Sequence, residues 1–303
     1  MSRKRDHAIV VRHLTKVYGG KRAVDDLSFE VEFDRVTGFL GPNGAGKTTT
    51  MRMILGLARP SAGRCDILGV GYRHLSRPSG SVGALLDTQQ FHPLRSARNH
   101  LRVYAAGGGI LDRRVEEVLE LVELSPAAKK KVGQFSLGMR QRLGLATALL
   151  GDPTILVLDE PANGLDPSGM RWLRAFLRDF ASGGRAVFVS SHLLAEMAQM
   201  ADEVVVINRG QLVVHAGMPE LLSHSQSSVR ALTDEPERLR ELMLASGKEA
   251  DLTAHDALVV KGASREEVGR VAASAGIALF GLDAAEGSLE DVFFELTGSE
   301  GVG

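Results

Sequence analysis

The residues Gly41-Pro42-Asn43-Gly44-Ala45-Gly46-Lys47-Thr48 fit the pattern G-x-x-x-x-G-K-[ST], whose chemistry is the holding of a polyphosphate. Glycines at 41, 44 and 46 let the backbone bring its N–H groups against phosphate oxygens with no Cβ in the way. Lys47 then reaches the β and γ phosphates. The Thr48 hydroxyl, with Thr49 beside it, can take a place on a Mg2+ that bridges them. Farther on, Asp159-Glu160 follow the apolar run Ile155-Leu156-Val157-Leu158. Two carboxylates beside a core are costly unless a cation or hydrogen bonds compensate them, and a Mg2+ near Lys47 and Thr48 would do so. Asp159 then suits the metal, directly or through water, and Glu160 suits the general base for a water attacking the γ-phosphate. His192 closes a further buried strand, 185–192, that ends in polar groups, where a histidine serves structure as readily as function.

These residues need strands and helices to bring them together. Residues 35–40 read as a strand before the glycine loop and 49–55 as a helix after it, whose N-terminus adds partial positive charge. Residues 9–32 alternate in short runs with a turn at Gly19-Gly20, an antiparallel pattern, and Tyr18 beside the turn reads at first as a half-buried strand aromatic. Strands follow at 64–68 and 81–86, the second ending in the polar cluster Asp87-Thr88-Gln89-Gln90, and ligands are met at the carboxyl ends of such strands. Helical spacing covers 97–124 and 138–150, with Val115, Val118, Leu119 and Val122 on one face. Between them, Ser136 and Gly138 in Phe135-Ser136-Leu137-Gly138-Met139 either cap the second helix or form an anion site at its start. Residues 202–215 read as a hairpin turning at Asn208-Arg209-Gly210.

The chain has 303 residues, long for one ordinary domain. Lys and Arg number 36 against 37 Asp and Glu, so the basic field of a nucleic-acid binder is missing and none is expected as a partner. The basic start Ser2-Arg3-Lys4-Arg5 reads as a solvated terminus, with no apolar stretch after it to make a signal peptide. The single cysteine, Cys65, excludes an internal disulfide and suits a reducing cytosol. No apolar run approaches the roughly eighteen residues of a membrane helix.

The glycine loop, Ser136 to Gly138, Asp159-Glu160 and His192, in that order, resemble the nucleotide-binding domain of ABC transporters over residues 8–220. The resemblance implies an α/β fold: a RecA-like P-loop NTPase core with an N-terminal antiparallel β subdomain and a helical subdomain. It implies ATP bound by Gly41, Pro42, Asn43, Gly44, Ala45, Gly46, Lys47, Thr48 and Thr49, with Mg2+ on Thr48 and Asp159. Lys47, Glu160 and His192 would be catalytic, His192 as a γ-phosphate contact. Tyr18 would stack on adenine, which replaces its first reading. Two such domains would close head to tail as a homodimer, Ser136 and Gly138 meeting the partner's γ-phosphate and Asp166, in Gly164-Leu165-Asp166, linking the two sites. The sequence departs from the family where L-S-G-G-Q is usual, in a form that resembles the drug and antibiotic exporter branch. It departs again where a metal-contacting glutamine is usual: the position falls on Asp87, with Gln89 and Gln90 near.

After a polar linker at 223–228 the pattern becomes strand 229–232, helix 236–245, strand 257–260, helix 265–275, strand 277–280 and a closing helix 289–296 carrying Val292, Phe293 and Leu296. This divides the chain into an ATP-binding domain, 1–222, and a small α+β domain, 223–303, similar to the accessory domain of the exporter branch. The expected function is an ATP-hydrolysing subunit that drives export through separate membrane-spanning permease subunits, from the cytoplasmic face of the membrane. The segment 91–99 would form the coupling contact. The rival is a soluble ABC-type ATPase of DNA repair, translation or assembly, which usually carries two sites in one chain or a long coiled-coil insertion.

Overall fold

A computed structural model describes residues 7–86, 91–223, 228–254 and 257–285. The chain falls into two units, Met1–Met218 and Pro219–Gly303. In the first, β1 (His7–Tyr18) and β2 (Lys21–Glu32) form the expected antiparallel hairpin, closed by Gly19 and Gly20 at φ 52° and 82°. Left-handed backbone costs a side-chain-bearing residue about 1–2 kcal/mol, so this tight turn takes glycine. Next, β3 (Arg35–Leu40) runs into the glycine loop and α1 (Lys47–Ile54), and β4 (Ala62–Ile67) pairs antiparallel with the far side of β1.

A single turn, α2 (Pro78–Ser81), precedes β5 (Val82–Leu85). The continuous helical stretch expected over 97–124 is instead two helices, α3 (Ala97–Gly107) and α4 (Arg113–Leu121). Gly107-Gly108-Gly109 interrupts it, with Gly109 at φ 66°, where helix cannot continue. There follow α5 (Leu137–Leu149), β6 (Ile155–Leu158), α6 (Pro167–Ala181), β7 (Ala186–Ser191) and α7 (Leu194–Met200). The hairpin β8 (Glu203–Asn208) and β9 (Gln211–Gly217) turns at Arg209 and Gly210, and α8 (Met218–Ser223) comes after it.

The larger sheet has the order β5-β6-β7-β3-β8-β9, parallel except for β9. Strands β6 and β7 are buried along their whole length, which is why they are apolar without alternation. The rings of Phe29, Phe39 and Phe188 stack at 5.0–5.5 Å between centroids and join the antiparallel sheet to the parallel one. Each such ring contributes about 2–3 kcal/mol of burial. Parallel strands point their carboxyl ends the same way, so β3, β6 and β7 deliver the glycine loop, Asp159-Glu160 and His192 to one edge.

The second unit contains β10 (Ser228–Leu232), α9 (Pro236–Ala245), β11 (Glu249–Ala254), β12 (Ala257–Lys261), α10 (Arg265–Ser274) and β13 (Gly281–Ala285). Its sheet, β11-β12-β10-β13, is wholly antiparallel. Leu239, Met243, Val268 and Ala272 on the helices meet Val229, Ala231, Leu258 and Val260 on the sheet. Two sequence expectations change here. Strand β11 was not foreseen, and the expected strand 277–280 lies before the true one, because Ile277 is buried in the core while Phe280 is 69% exposed. Pairing begins with Phe280 N–H donating to Leu232 O and continues from Gly281. The expected helix 289–296 lies outside the described residues. Among the described residues no helix is long and apolar enough to cross a membrane.

Candidate nucleotide site

The loop after β3 encloses a cavity of about 230 Å³, with Asn43, Gly44, Gly46, Lys47, Thr48 and Thr49 on one side, Asp159 and Glu160 on the other, and Ala23 at its edge. The sequence requires glycine in this cradle: Gly44 and Gly46 sit at φ 81° and 109°, and a Cβ on Gly46 would lie 2.5 Å from Ala23 O. Gly41 is equally confined, since a Cβ there would lie 2.5 Å from Ile207 O. Lys47, on the first turn of α1, is buried, and its Nζ donates to Gly41 O at 2.6 Å and Pro42 O at 3.3 Å. The Ala45 carbonyl accepts from Gly210 N and so ties the loop to the β8–β9 turn.

Opposite the lysine stand the two carboxylates that end β6. The Thr48 hydroxyl donates to Asp159 Oδ2 at 2.6 Å, and the Ser190 hydroxyl to Asp159 Oδ1 at 2.5 Å. Glu160 Oε1 lies 3.5 Å from Lys47 Nζ, and its Oε2 accepts from His192 Nδ1 at 2.9 Å. Glu160 has a left-handed backbone, φ 48°, uncommon for a residue with a side chain and strained by about 1–3 kcal/mol. Its N–H donates to Ser190 Oγ at 2.9 Å. A cation, the threonine hydroxyls and two carboxylates thus line one phosphate-sized cavity, with the His192 imidazole behind it on Glu160 and the Ser190 hydroxyl behind it on Asp159. A hard divalent cation fits this donor set: hydroxyl and carboxylate oxygens stand in contact beside the cradle, and Mg2+ takes few protein ligands when phosphates supply the rest.

The structure therefore brings together Gly41 to Thr49, Asp159, Glu160 and His192. Ser136, Gly138 and Asp166 form a second cluster that does not line this cavity. Ser136 caps α5, its Oγ accepting from Met139 N at 3.3 Å. Gly164, at φ 76°, leaves room for Leu137, whose Cδ2 would stand 2.0 Å from a Cβ there, and a Cβ on Gly138 would touch Leu165 at 3.3 Å. Asp166 caps α6: the Gly169 N–H at 2.8 Å and the Ser168 hydroxyl at 2.9 Å hold its carboxyl below the usual range. Tyr18 is half exposed at the end of β1, with Lys16 Nζ 4.8 Å from its ring centroid. Asp87, Gln89 and Gln90 lie outside the described residues. Ser190, which binds both Asp159 and Glu160, escaped sequence reading. Its only signal was its place, two residues before His192 at a buried strand's end.

Residues 24–163 match the family described as ABC transporter, and residues 227–290 match a domain of unknown function. The chain is 35% identical to the bacitracin transport ATP-binding protein BcrA of Bacillus licheniformis, over 96% of this chain and 97% of that one. It is 33% identical to the Nod factor export ATP-binding protein I of Burkholderia orbicola, over 95% and 96%. Among solved structures, an ATP-binding subunit of an ABC transporter superposes with a TM-score of 0.64 at 25% identity, covering 72% of this chain and 92% of the other. In fold it also resembles cbiO1 from Clostridium perfringens, with a TM-score of 0.64 at 23% identity over 79% and 96%. The chain belongs to the ATP-binding subunits of ABC transporters and is an ATPase of the exporter type.

Proposed function

We propose that the chain hydrolyses Mg2+-bound ATP to drive export of an antibiotic or other hydrophobic compound through separate permease subunits, held by them at the cytoplasmic face of the membrane. The observation that carries the reading is the convergence of Lys47, Thr48, Asp159 and Glu160 on one cavity, with His192 bonded to Glu160, in a chain whose relatives over nearly its full length are named for transporting bacitracin and exporting Nod factor. Lys47 balances charge on the β and γ phosphates. Thr48 and Asp159 would hold Mg2+, which supplies charge neutralisation on the phosphates when bound. Glu160 orients the attacking water and takes its proton, while His192 holds the Glu160 carboxylate and contacts the γ-phosphate. Tyr18 stacks on adenine. Asp87, by sequence position, stands where a further metal contact is expected. Two copies close head to tail, with Ser136 and Gly138 of each completing the site of the other and Asp166 linking them. Nucleic acid has no part in this reading.

In a strain of the source organism deleted for this chain, restoring the wild type should restore resistance to at least one member of a panel of peptide and lipophilic antibiotics. Lys47→Ala, which removes phosphate charge compensation, should restore none. Equal resistance with and without the chain across the panel would contradict antibiotic export.

A further inference from the structure

Among the described residues, Ser190 alone bonds to both carboxylate residues of the site. It is fully buried on β7, in register with Phe39 of the central strand β3. A hydroxyl has one proton and an ionised carboxylate only accepts, so the proton goes to Asp159 Oδ1 at 2.5 Å. An oxygen lone pair then accepts the Glu160 N–H at 2.9 Å. With Thr48 on Asp159 Oδ2, a hydroxyl engages each oxygen of that carboxylate and fixes its plane. On the other side, the bond to the Glu160 N–H anchors the one non-glycine residue among the described residues of the site with left-handed backbone, φ 48°.

We propose that Ser190 is a positioning residue that sets Asp159 for the metal and, through the same oxygen, the backbone of Glu160 for the attacking water. This rests on the Mg2+–ATP reading given above. One atom on a rigid central strand thereby aligns the metal side and the base side of the site. Supporting groups of this kind change metal affinity or activity by about 10–100-fold when removed. Ser191 is the natural comparison. It is equally buried, but its hydroxyl donates to Glu196 Oε2 at 2.8 Å and accepts from Leu193 N at 3.0 Å, away from both carboxylates.

The test is titration of the full chain with a fluorescent ATP analogue, mant-ATP, with Mg2+ and with EDTA, for wild type, Ser190→Ala and Ser191→Ala. Thermal unfolding of each monitors the fold. Wild type is expected to bind more tightly with Mg2+. Ser190→Ala should lose roughly tenfold or more of that gain while its affinity in EDTA stays within about twofold. Its kcat should fall with the Mg2+ requirement raised. Ser191→Ala should keep the Mg2+ gain whatever its effect on the melting temperature. An undiminished Mg2+ gain in Ser190→Ala, or an equal loss in Ser191→Ala, would overturn the positioning role alone. A wild-type chain that binds no mant-ATP under either condition would overturn the nucleotide reading and this role together.

Discussion

Lys47 is held ready by acceptors: two loop carbonyls and, at 3.5 Å, the Glu160 carboxylate. A buried ammonium left without partners would be costly, so the site carries substitutes that phosphate oxygens can displace. Tyr18 follows different physics, since its half-exposed ring offers stacking area and no charge. Base-on-aromatic stacking is worth about 1–3 kcal/mol. Tyr18→Ala should therefore raise the KM for ATP roughly tenfold with kcat little changed, and Tyr18→Trp should restore it. Steady-state phosphate release measures both, and an unchanged KM in Tyr18→Ala would remove Tyr18 from the base site. At this scale the sequence was most legible where chemistry is local. The glycine loop and Asp159-Glu160 are contiguous, so spacing alone marks them. Ser190 meets its partners across 31 and 30 residues, and serine is too common a type for any local pattern to single it out. The left-handed backbone of Glu160 is likewise a product of tertiary contact.

Helices α5 and α6 are fastened by Arg142, whose guanidinium lies 4.4 Å from the Trp172 ring centroid and donates to Glu123. Such a contact contributes about 0.5–1 kcal/mol at the surface. On α3, His100 is buried against the rings of Phe91 and Tyr104, at 5.0 and 4.9 Å, and neither ring nitrogen has a hydrogen-bond partner among the described residues. Burial, reinforced by the Arg95 charge, lowers its pKa from 6.5 to about 4. The folded chain thus keeps this imidazole neutral where the unfolded chain takes up a proton. Stability present above pH 6.5 should decline as pH falls towards 4, and His100→Phe should remove that part of the decline. Urea unfolding at several values between pH 7 and 4.5 measures it; identical slopes for the two proteins would contradict the buried neutral state. Elements were legible where pattern and burial agree, as in α9, foreseen end to end. Strand β11 was missed because it is an edge strand whose Glu249, Asp251 and Leu252 are exposed, leaving no buried alternation to read. The break in 97–124 was visible as three glycines, but the apolar spacing on either side masked it.

Across the whole molecule, the resemblance carried by the glycine loop, Ser136 to Gly138, Asp159-Glu160 and His192 already implied the α/β class, and the order β5-β6-β7-β3-β8-β9, parallel except for β9, bears it out. Which strands lie side by side was not legible, since β3 sits between β7 and β8 although they come some 150 residues later in the chain. That arrangement is what makes a single site from segments 41–49, 159–160 and 190–192. The central claim is that this site hydrolyses ATP with Glu160 as base, between two closed copies of the chain. Phosphate release from Mg2+-ATP by the purified chain and by Glu160→Gln, with light scattering on the same samples, tests it most directly. The wild type should turn over, and Glu160→Gln should lose about a hundredfold or more of that rate while its ATP-bound mass doubles from 32.5 kDa. Wild-type hydrolysis by Glu160→Gln would contradict the assignment of the base, and a mass that stays at 32.5 kDa with ATP bound would contradict the closed pair.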